Sequence, residues 1–253
     1  ILFLWSILFN KRGIKPWLRS NKMTSLEINS YIREFYQYCH PLFIYSLVGL
    51  IAGIGGRWLL QTFSGSQEQG FFSLAYRVGM IILLFTKSMT PLFTREFSVA
   101  ESNQDFDRMR FLYKKSITLF YSIAAAISII VAYHGARIGV ILGGSEFQQA
   151  GIAISLMSLY PIHQVYGQLN GAVFYATDQT KLYRNIGISI KILGLAVTYF
   201  FVAPVNYGGL NLGAVGVAIS AIIVQFVGVN IQLFFNTRLL NFSFLKFFCH
   251  QLL

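Results

Sequence analysis

LGAVGVAISAIIVQFVGVNIQLFFN, residues 212–236, runs for 25 residues without a charge. Crossing about 30 Å of hydrocarbon as an α-helix takes about 20 residues, so this stretch is long enough to span a bilayer. A membrane barrel strand would be about 10 residues of strict polar–apolar alternation. Neither this stretch nor residues 117–131 alternates in that way. Residues 116–133 are also uncharged, and residues 41–60 carry one charge, Arg57, near their end. The rest of the chain agrees. Of its 253 residues, 55% are hydrophobic and 11% charged, against about 25% charged in ordinary soluble domains. One soluble core cannot hide that much apolar surface, so the bilayer has to act as solvent. The expected fold class is an all-α polytopic membrane protein.

Working outward from these stretches, six full spans are expected, at residues 41–60, 71–93, 112–133, 150–176, 183–205 and 212–236. Residues 1–9 read as the end of a further span, and residues 10–38 as a basic cytoplasmic linker. The domain reading is therefore residues 1–38, a six-helix lobe over 39–236, and a terminal piece over 237–253. That last piece mixes Phe and Leu with Arg238, Lys246 and His250, as an amphipathic segment lying on the membrane surface does. The apolar start precedes its positive charges, which is not the order of a secretory signal. With Ile as its first residue, the sequence reads as part of a longer protein.

The basic residues set an orientation. Of twenty Lys and Arg, fifteen fall on residues 10–38 and on the connections and termini of the same side. Two, Arg57 and Arg137, fall on the other side, and three lie within spans. Connections rich in Lys and Arg stay in the cytoplasm, so residues 10–38, 98–111 and 177–182 are expected there. The net charge of +11 is then a record of topology, and nucleic acid is not an expected partner. The expected external connections are short: residues 61–70, 134–149 and 206–211. The second holds an apolar turn or two, residues 136–142, suited to the interface. Cys39 and Cys249 stand 210 positions apart, outside any Cys/His cluster, so no metal, disulfide or other cofactor is expected. Glycines spaced by four, Gly49/Gly53 and Gly167/Gly171, read as close helix packing. Pro91 and Pro161 read as sites of kinks.

Charged groups inside a bilayer are costly and point to function. Here all three are cations: Arg77, Lys87 and Lys191. Every Asp and Glu lies in a connection or at a span end, so the sequence offers no intramembrane carboxylate to neutralise them. Inward-facing cations would need water, a counter-ion or an anionic substrate. Snorkelling to the headgroups is the competing use, and Arg57, where its span exits, reads as an interfacial anchor. The span over 150–176 is polar in its second half. His163, Tyr166 and Asn170 share one helical face, and Gln164 and Gln168 share the next. Such side chains bond sugar hydroxyls or tie neighbouring helices together. No phosphate loop, metalloprotease pattern or nucleophile elbow is present in the sequence, so covalent chemistry is not expected.

Six short stretches then fall in order along the chain. They are RWLL at 57–60, GFFSLAYR at 70–77, PLFTRE at 91–96, GGSEF at 143–147, ATDQTKL at 176–182 and GAVGVAIS at 213–220. Together they resemble the second half of the polysaccharide or O-antigen flippases, in the multidrug/oligosaccharidyl-lipid/polysaccharide exporter superfamily. One position departs: Gly56 stands where that family typically has an acidic residue before the arginine. The resemblance implies the second of two six-helix lobes around a central cavity, in a bacterial cytoplasmic (inner) membrane. It implies flipping of an undecaprenyl-diphosphate-linked oligosaccharide by alternating access. The implied partners are that anionic lipid-linked oligosaccharide, membrane lipids and other polysaccharide-assembly proteins. The substrate-binding candidates are Arg77, Lys87, Lys191, Arg57, His163, Gln164, Gln168 and Asn170. Alternatives from the residues are another exporter of the same superfamily, for drugs or a peptidoglycan-precursor lipid, or a membrane polysaccharide polymerase.

Overall fold

A computed structural model describes residues 25–251. The expected end of a span at residues 1–9, and the basic residues Lys11, Arg12, Lys15, Arg19 and Lys22, lie outside the described residues. The chain forms two compact units, one up to His40 and one from Pro41 onward. In the first, the Tyr36 ring stacks on His40 at 5.0 Å between centroids.

The described residues are helical throughout, with short connections and no strand. Helix α1 (Ser25–Ser102) is two helices joined at Gly65, whose φ of 86° and ψ of 176° fall outside the helical region. Residues 61–70 were expected to form an external connection. Instead both helices run up to Gly65, and one glycine makes the turn. It does so because only a residue without Cβ adopts that backbone at low cost. After α1 come α2 (Phe106–Tyr133), α3 (Gly135–Gly143), a 3₁₀ segment (Ser145–Ala150) and α4 (Gly151–Ala176). Then follow α5 (Thr180–Val202), a 3₁₀ turn (Val205–Tyr207), α6 (Gly213–Leu240) and α7 (Phe244–His250). Pro91 and Pro161 lie within helical segments.

Four of these helices are long and apolar enough to cross a membrane: Ile28–Ser102 within α1, and α2, α5 and α6. The 26 residues of α4 have the length but not the hydropathy. Its polar residues are accommodated because α4 is enclosed by protein, as polar groups in membrane helices generally are. It contributes Tyr166, Leu169 and Val173 to one core cluster, with Phe97, Met109, Tyr113 and Leu233. It contributes Ala153, Ile154 and Met157 to a second, with Leu60, Phe71, Ala75 and Ala218. Against α1 the approach is close enough that a Cβ built on Gly79 would lie 2.6 Å from the Met157 carbonyl oxygen.

The two ends of the lobe are tied differently. At the basic end Arg108 pairs with Glu96 at 3.0 Å across the α1–α2 turn. Arg110 pairs with Asp107 and donates to the Leu240 and Asn241 carbonyls at 3.4 and 3.5 Å. A cation there suits the negative end of the α6 dipole. At the opposite end Glu68 accepts from the Ala214 amide at 2.7 Å, at the positive end of the same helix. The apolar turn expected at residues 136–142 is the helix α3.

The terminal segment, expected as a surface-lying piece, packs one side against protein. Residues 237–240 complete α6, and α7 folds back on the bundle with Phe247 and Gln251 buried. The Tyr166 hydroxyl lies 3.2 Å from the Phe247 carbonyl and 2.9 Å from His250 Nδ1. Gln251 and Asn230 exchange two side-chain amide hydrogen bonds at 3.0 and 3.2 Å. The apolar side of α7 covers protein because α2, α4 and α6 offer it aromatic partners, Tyr113 among them.

Candidate functional site

Lys191 is the central residue of α5, so its ammonium starts from the middle of a spanning helix. Its neighbours Ile192 and Leu193 are exposed, whereas Lys191 is half-buried and turned towards α1. Its ammonium sits over the Tyr45 ring, 5.3 Å from the centroid. Its stem lies against Gly49, where a built Cβ would come within 2.9 Å of Lys191 Cε. The spacing Gly49/Gly53 therefore does not mark helix-on-helix packing. Gly49 is a slot for a side chain, and Gly53 has nothing within 4 Å of a built Cβ. Gly167 and Gly171 do face neighbouring helices, beside Gln225 of α6 and Tyr183 of α5.

A cavity of about 230 Å³ opens beside Lys191, lined by α1, α4, α5 and α6. Its polar lining is Tyr160, Gln225, Thr198 and Ser220. The Tyr160 hydroxyl donates to Gln225 Oε1 at 3.2 Å, and Gln225 Nε2 donates to Gln164 Oε1. Thr198 and Ser220 share a hydrogen bond of 2.9 Å. Gln164 thus belongs to this site through Gln225. The sequence reading missed Tyr45, Tyr160, Gln225 and Gly49. Tyr45, Gly49, Ala52 and Gly56 recur at i, i+4, i+7 and i+11. That spacing marks a face of α1 left open for a long partner side chain.

The other cations lie on an exposed side of α1. The Arg57 guanidinium is 5.8 Å from the centroid of the Tyr76 ring, next to Arg77. At about 100° per residue, Tyr76, Lys87, Thr90 and Thr94 fall on one stripe, and Arg77 and Arg95 on the next. Ile81, Phe85, Leu92 and Val99 form an apolar exposed stripe that adjoins the Arg77–Arg95 one, where Leu84 is exposed as well. Nine residues separate Arg77 from Glu68, and nine separate Lys87 from Glu96. Each cation therefore sits about 13 Å along the helix from opposite ends of the lobe. The Thr90 hydroxyl donates to Gln168 Oε1 at 3.1 Å, which places Gln168 one turn from Lys87. Among the described residues, the ion pairs are at the basic end, and none involves Arg57, Arg77, Lys87 or Lys191.

Two of the expected binding residues belong elsewhere. Asn170 is fully buried: it accepts from the Tyr113 hydroxyl at 2.6 Å and from Asn236 at 3.0 Å, and donates to the Val229 carbonyl at 3.1 Å. Its amide is consumed in tying α2, α4 and α6 together, so it offers nothing to a substrate. His163 packs its ring edge-on against Phe226 at 5.1 Å and lies beside Gln251. The face of α4 shared by His163, Tyr166 and Asn170 is thus covered by α6 and by the terminal segment.

The arrangement is a lobe of six long helices with a polar cavity between them and exposed cations on α1. Solved structures agree on the fold. The chain superposes on a multidrug resistance MATE family transporter of the MOP superfamily in its outward-facing conformation with a TM-score of 0.76, at 16% identity over 88% of this chain and 49% of that one. The inward-facing conformation of such a transporter gives 0.68, at 16% identity over 90% and 55%. A MOP superfamily transporter from Pyrococcus furiosus, described by the reverse polarity of its binding pocket, gives 0.71, at 16% identity over 89% and 50%. The chain spans about half the length of the solved structures it matches. Neither a protein-family model nor a curated protein matches it. The fold is therefore that of one half of a MATE-like transporter.

Proposed function

We propose that this chain is one lobe of an alternating-access exporter that carries a lipid-diphosphate-linked oligosaccharide across a bacterial cytoplasmic membrane. One observation carries the reading. Four cations lie within or beside spanning helices, two are held on tyrosine faces, and none has a carboxylate partner among the described residues. A cation over an aromatic face keeps its charge available for a ligand. Arginine also binds phosphate oxygens through two parallel hydrogen bonds, which suits a diphosphate. The polar stripe of α1 gives that group a path past the apolar stripe that suits lipid. The membrane potential helps, since moving one charge across 100 mV is worth about 2.3 kcal/mol and the substrate is anionic. No covalent step is involved.

A multidrug exporter is the second reading, favoured by the MATE structures that share the fold. The cations argue against a positively charged drug in this lobe. The Pyrococcus furiosus relative, whose reverse pocket polarity is said to suggest a different function, supports treating pocket polarity as what varies on this fold. The test is transport of a fluorescent lipid-diphosphate oligosaccharide by the transporter reconstituted in vesicles. Arg77→Gln should slow it by about tenfold or more, as loss of a charge-assisted contact does, and Arg77→Lys should keep part of the rate. Unchanged transport by Arg77→Gln at equal protein level would sink the diphosphate reading.

A further inference from the structure

At the basic end of the lobe, the outer face of α2 carries two adjacent lysines. At about 100° per residue, Met109, Tyr113, Ile117, Phe120 and Ala124 share the side of α2 that packs into the core. Phe111, Lys115, Thr118 and Ser122 fall on the opposite side, flanked by Lys114 and Leu119, and all six are exposed. Together they line a groove of about 650 Å³ to which no other helix contributes. That is within the roughly 300–1,000 Å³ of ligand pockets. A face of a spanning helix turned away from its own bundle meets lipid. The groove also stands apart from the polar cavity, which takes no residue from α2.

The order of residues along the groove follows the depth profile of a phospholipid. Arg110 donates to the carbonyls that end α6, so its level is the cytoplasmic end of the lobe. Lys115 starts about 8 Å deeper by helical rise, yet its ammonium turns back to lie 5.7 Å from the centroid of the Phe111 ring. An apolar stem along the helix with the charge returned to headgroup level is how a lysine at a membrane boundary snorkels. Deeper still, the Thr118 and Ser122 hydroxyls donate to the carbonyls of Lys114 and Thr118 at 3.1 and 2.9 Å. Their protons are satisfied within the helix, so this half of the groove can face hydrocarbon beside Leu119.

The protein supplies these ammoniums with no anion. Asp107, one turn before Phe111 on the same face, pairs with Arg110, and Asp105 accepts from the Arg108 amide at 2.9 Å to cap α2. Among the described residues no ion pair involves Lys114 or Lys115. Two cations at headgroup level above an apolar trough complement a lipid with a net negative headgroup. A zwitterionic headgroup would bring its own cation against the lysines. We propose that this groove binds an anionic phospholipid of the cytoplasmic leaflet, its phosphate between Lys114 and Lys115 and an acyl chain along Thr118, Leu119 and Ser122. The site is independent of what the lobe exports.

The test uses the transporter in vesicles at low salt, with Trp5, Trp17 and Trp58 replaced by Phe and a single reporter introduced by Phe111→Trp. Quenching by brominated phosphatidylglycerol and by brominated phosphatidylcholine gives their relative affinity at that spot. Ile129→Trp is the control, on the same side of α2, exposed, and about 27 Å further along, at the other leaflet. Phosphatidylglycerol should be preferred about twentyfold at position 111, about fivefold for each lysine, and not at position 129. Lys114→Gln and Lys115→Gln should each lower the preference about fivefold, the double variant should abolish it, and Lys115→Arg should keep it. Equal preferences at positions 111 and 129 would overturn the proposal without any lysine variant, and so would a preference that survives the double variant. Displacement of the brominated lipid by an equimolar polyprenyl diphosphate would make the groove a loading place for that lipid, and would overturn the phospholipid assignment too.

Discussion

Gly53 and Gly65 lie twelve residues apart in α1 and are held by different forces. Gly65 makes the reversal between two spanning helices with φ 86° and ψ 176°, a conformation that is essentially restricted to glycine. Gly53 is helical, and a Cβ there would meet nothing within 4 Å. Alanine should therefore act in opposite directions at the two sites. Gly65→Ala is expected to lose about 1–3 kcal/mol, the range for forcing a side chain into such a region. Gly53→Ala is expected to be neutral or to gain up to about 1 kcal/mol from helix propensity. Thermal unfolding in detergent, followed by circular dichroism, reads both. A stable Gly65→Ala would mean that the turn is not made by backbone strain at that residue. The same scale shows what a sequence conceals. Gly65 was visible as a glycine in a polar stretch, but not as the only break in 78 residues of helix. Gly49 belonged to a spacing that usually means helix packing, and only the position of Lys191 shows that it makes room for a side chain.

Hydropathy and charge made the helices legible, but not their partners. The uncharged stretch at residues 212–236 lies within α6 apart from its N-cap Leu212, and the stretch at 116–133 within α2, because a spanning helix must satisfy its backbone internally whatever packs beside it. The role of α4 was not legible in the same way. Gln164 and Asn170 are both polar residues in its second half, yet one joins the Lys191 cavity and the other is locked into the core. Which face of a helix meets water and which meets another helix depends on tertiary contacts that periodicity does not contain. Glu68 is a similar case. It read as a loop acid, and it caps the first turn of α6 from a distance of 146 positions. Removing that contact with Glu68→Ala should cost about 1 kcal/mol, typical of a lost helix cap. Glu68→Gln should cost less, since an acceptor oxygen remains and only the charge-on-dipole part, about 0.3–1 kcal/mol, is lost. The order of unfolding temperatures, wild type above Gln above Ala, is the check. Equal temperatures for all three would show that the α6 end is solvated and not capped by Glu68.

At the scale of the whole molecule, the charge distribution and the half-length match each make a prediction. Fifteen basic residues on one set of connections fix an orientation by the positive-inside rule. Asn103 lies in the α1–α2 turn and Asn206 in the 3₁₀ turn after α5, both exposed. Single cysteines there, in a background without Cys39 and Cys249, should react with an impermeant thiol reagent from opposite sides, with position 206 reached from outside. Labelling of both from outside would refute this arrangement. The second prediction concerns what covers the polar stripe of α1. Arg77 and Lys87 are cations on the exposed side of a spanning helix, and charges turned to lipid near the bilayer centre cost about 2.5–3.5 kcal/mol each by insertion scales. The solved transporters that share the fold are about twice as long as this chain. A second lobe set against α1 would convert that costly face into the wall of a water-filled path. The chain expressed alone should therefore insert in the membrane but fail to restore surface polysaccharide in a flippase-deficient bacterium. Co-expressed with, or fused to, a first lobe from a transporter of the same class, it should restore export, and Arg77→Gln should abolish the gain without lowering membrane-inserted protein. Export by the chain alone, as a monomer, would refute the two-lobe arrangement. Export by the chain alone as a dimer would replace the second lobe with a second copy, and cross-linking through a cysteine at position 88, beside Lys87, distinguishes the two.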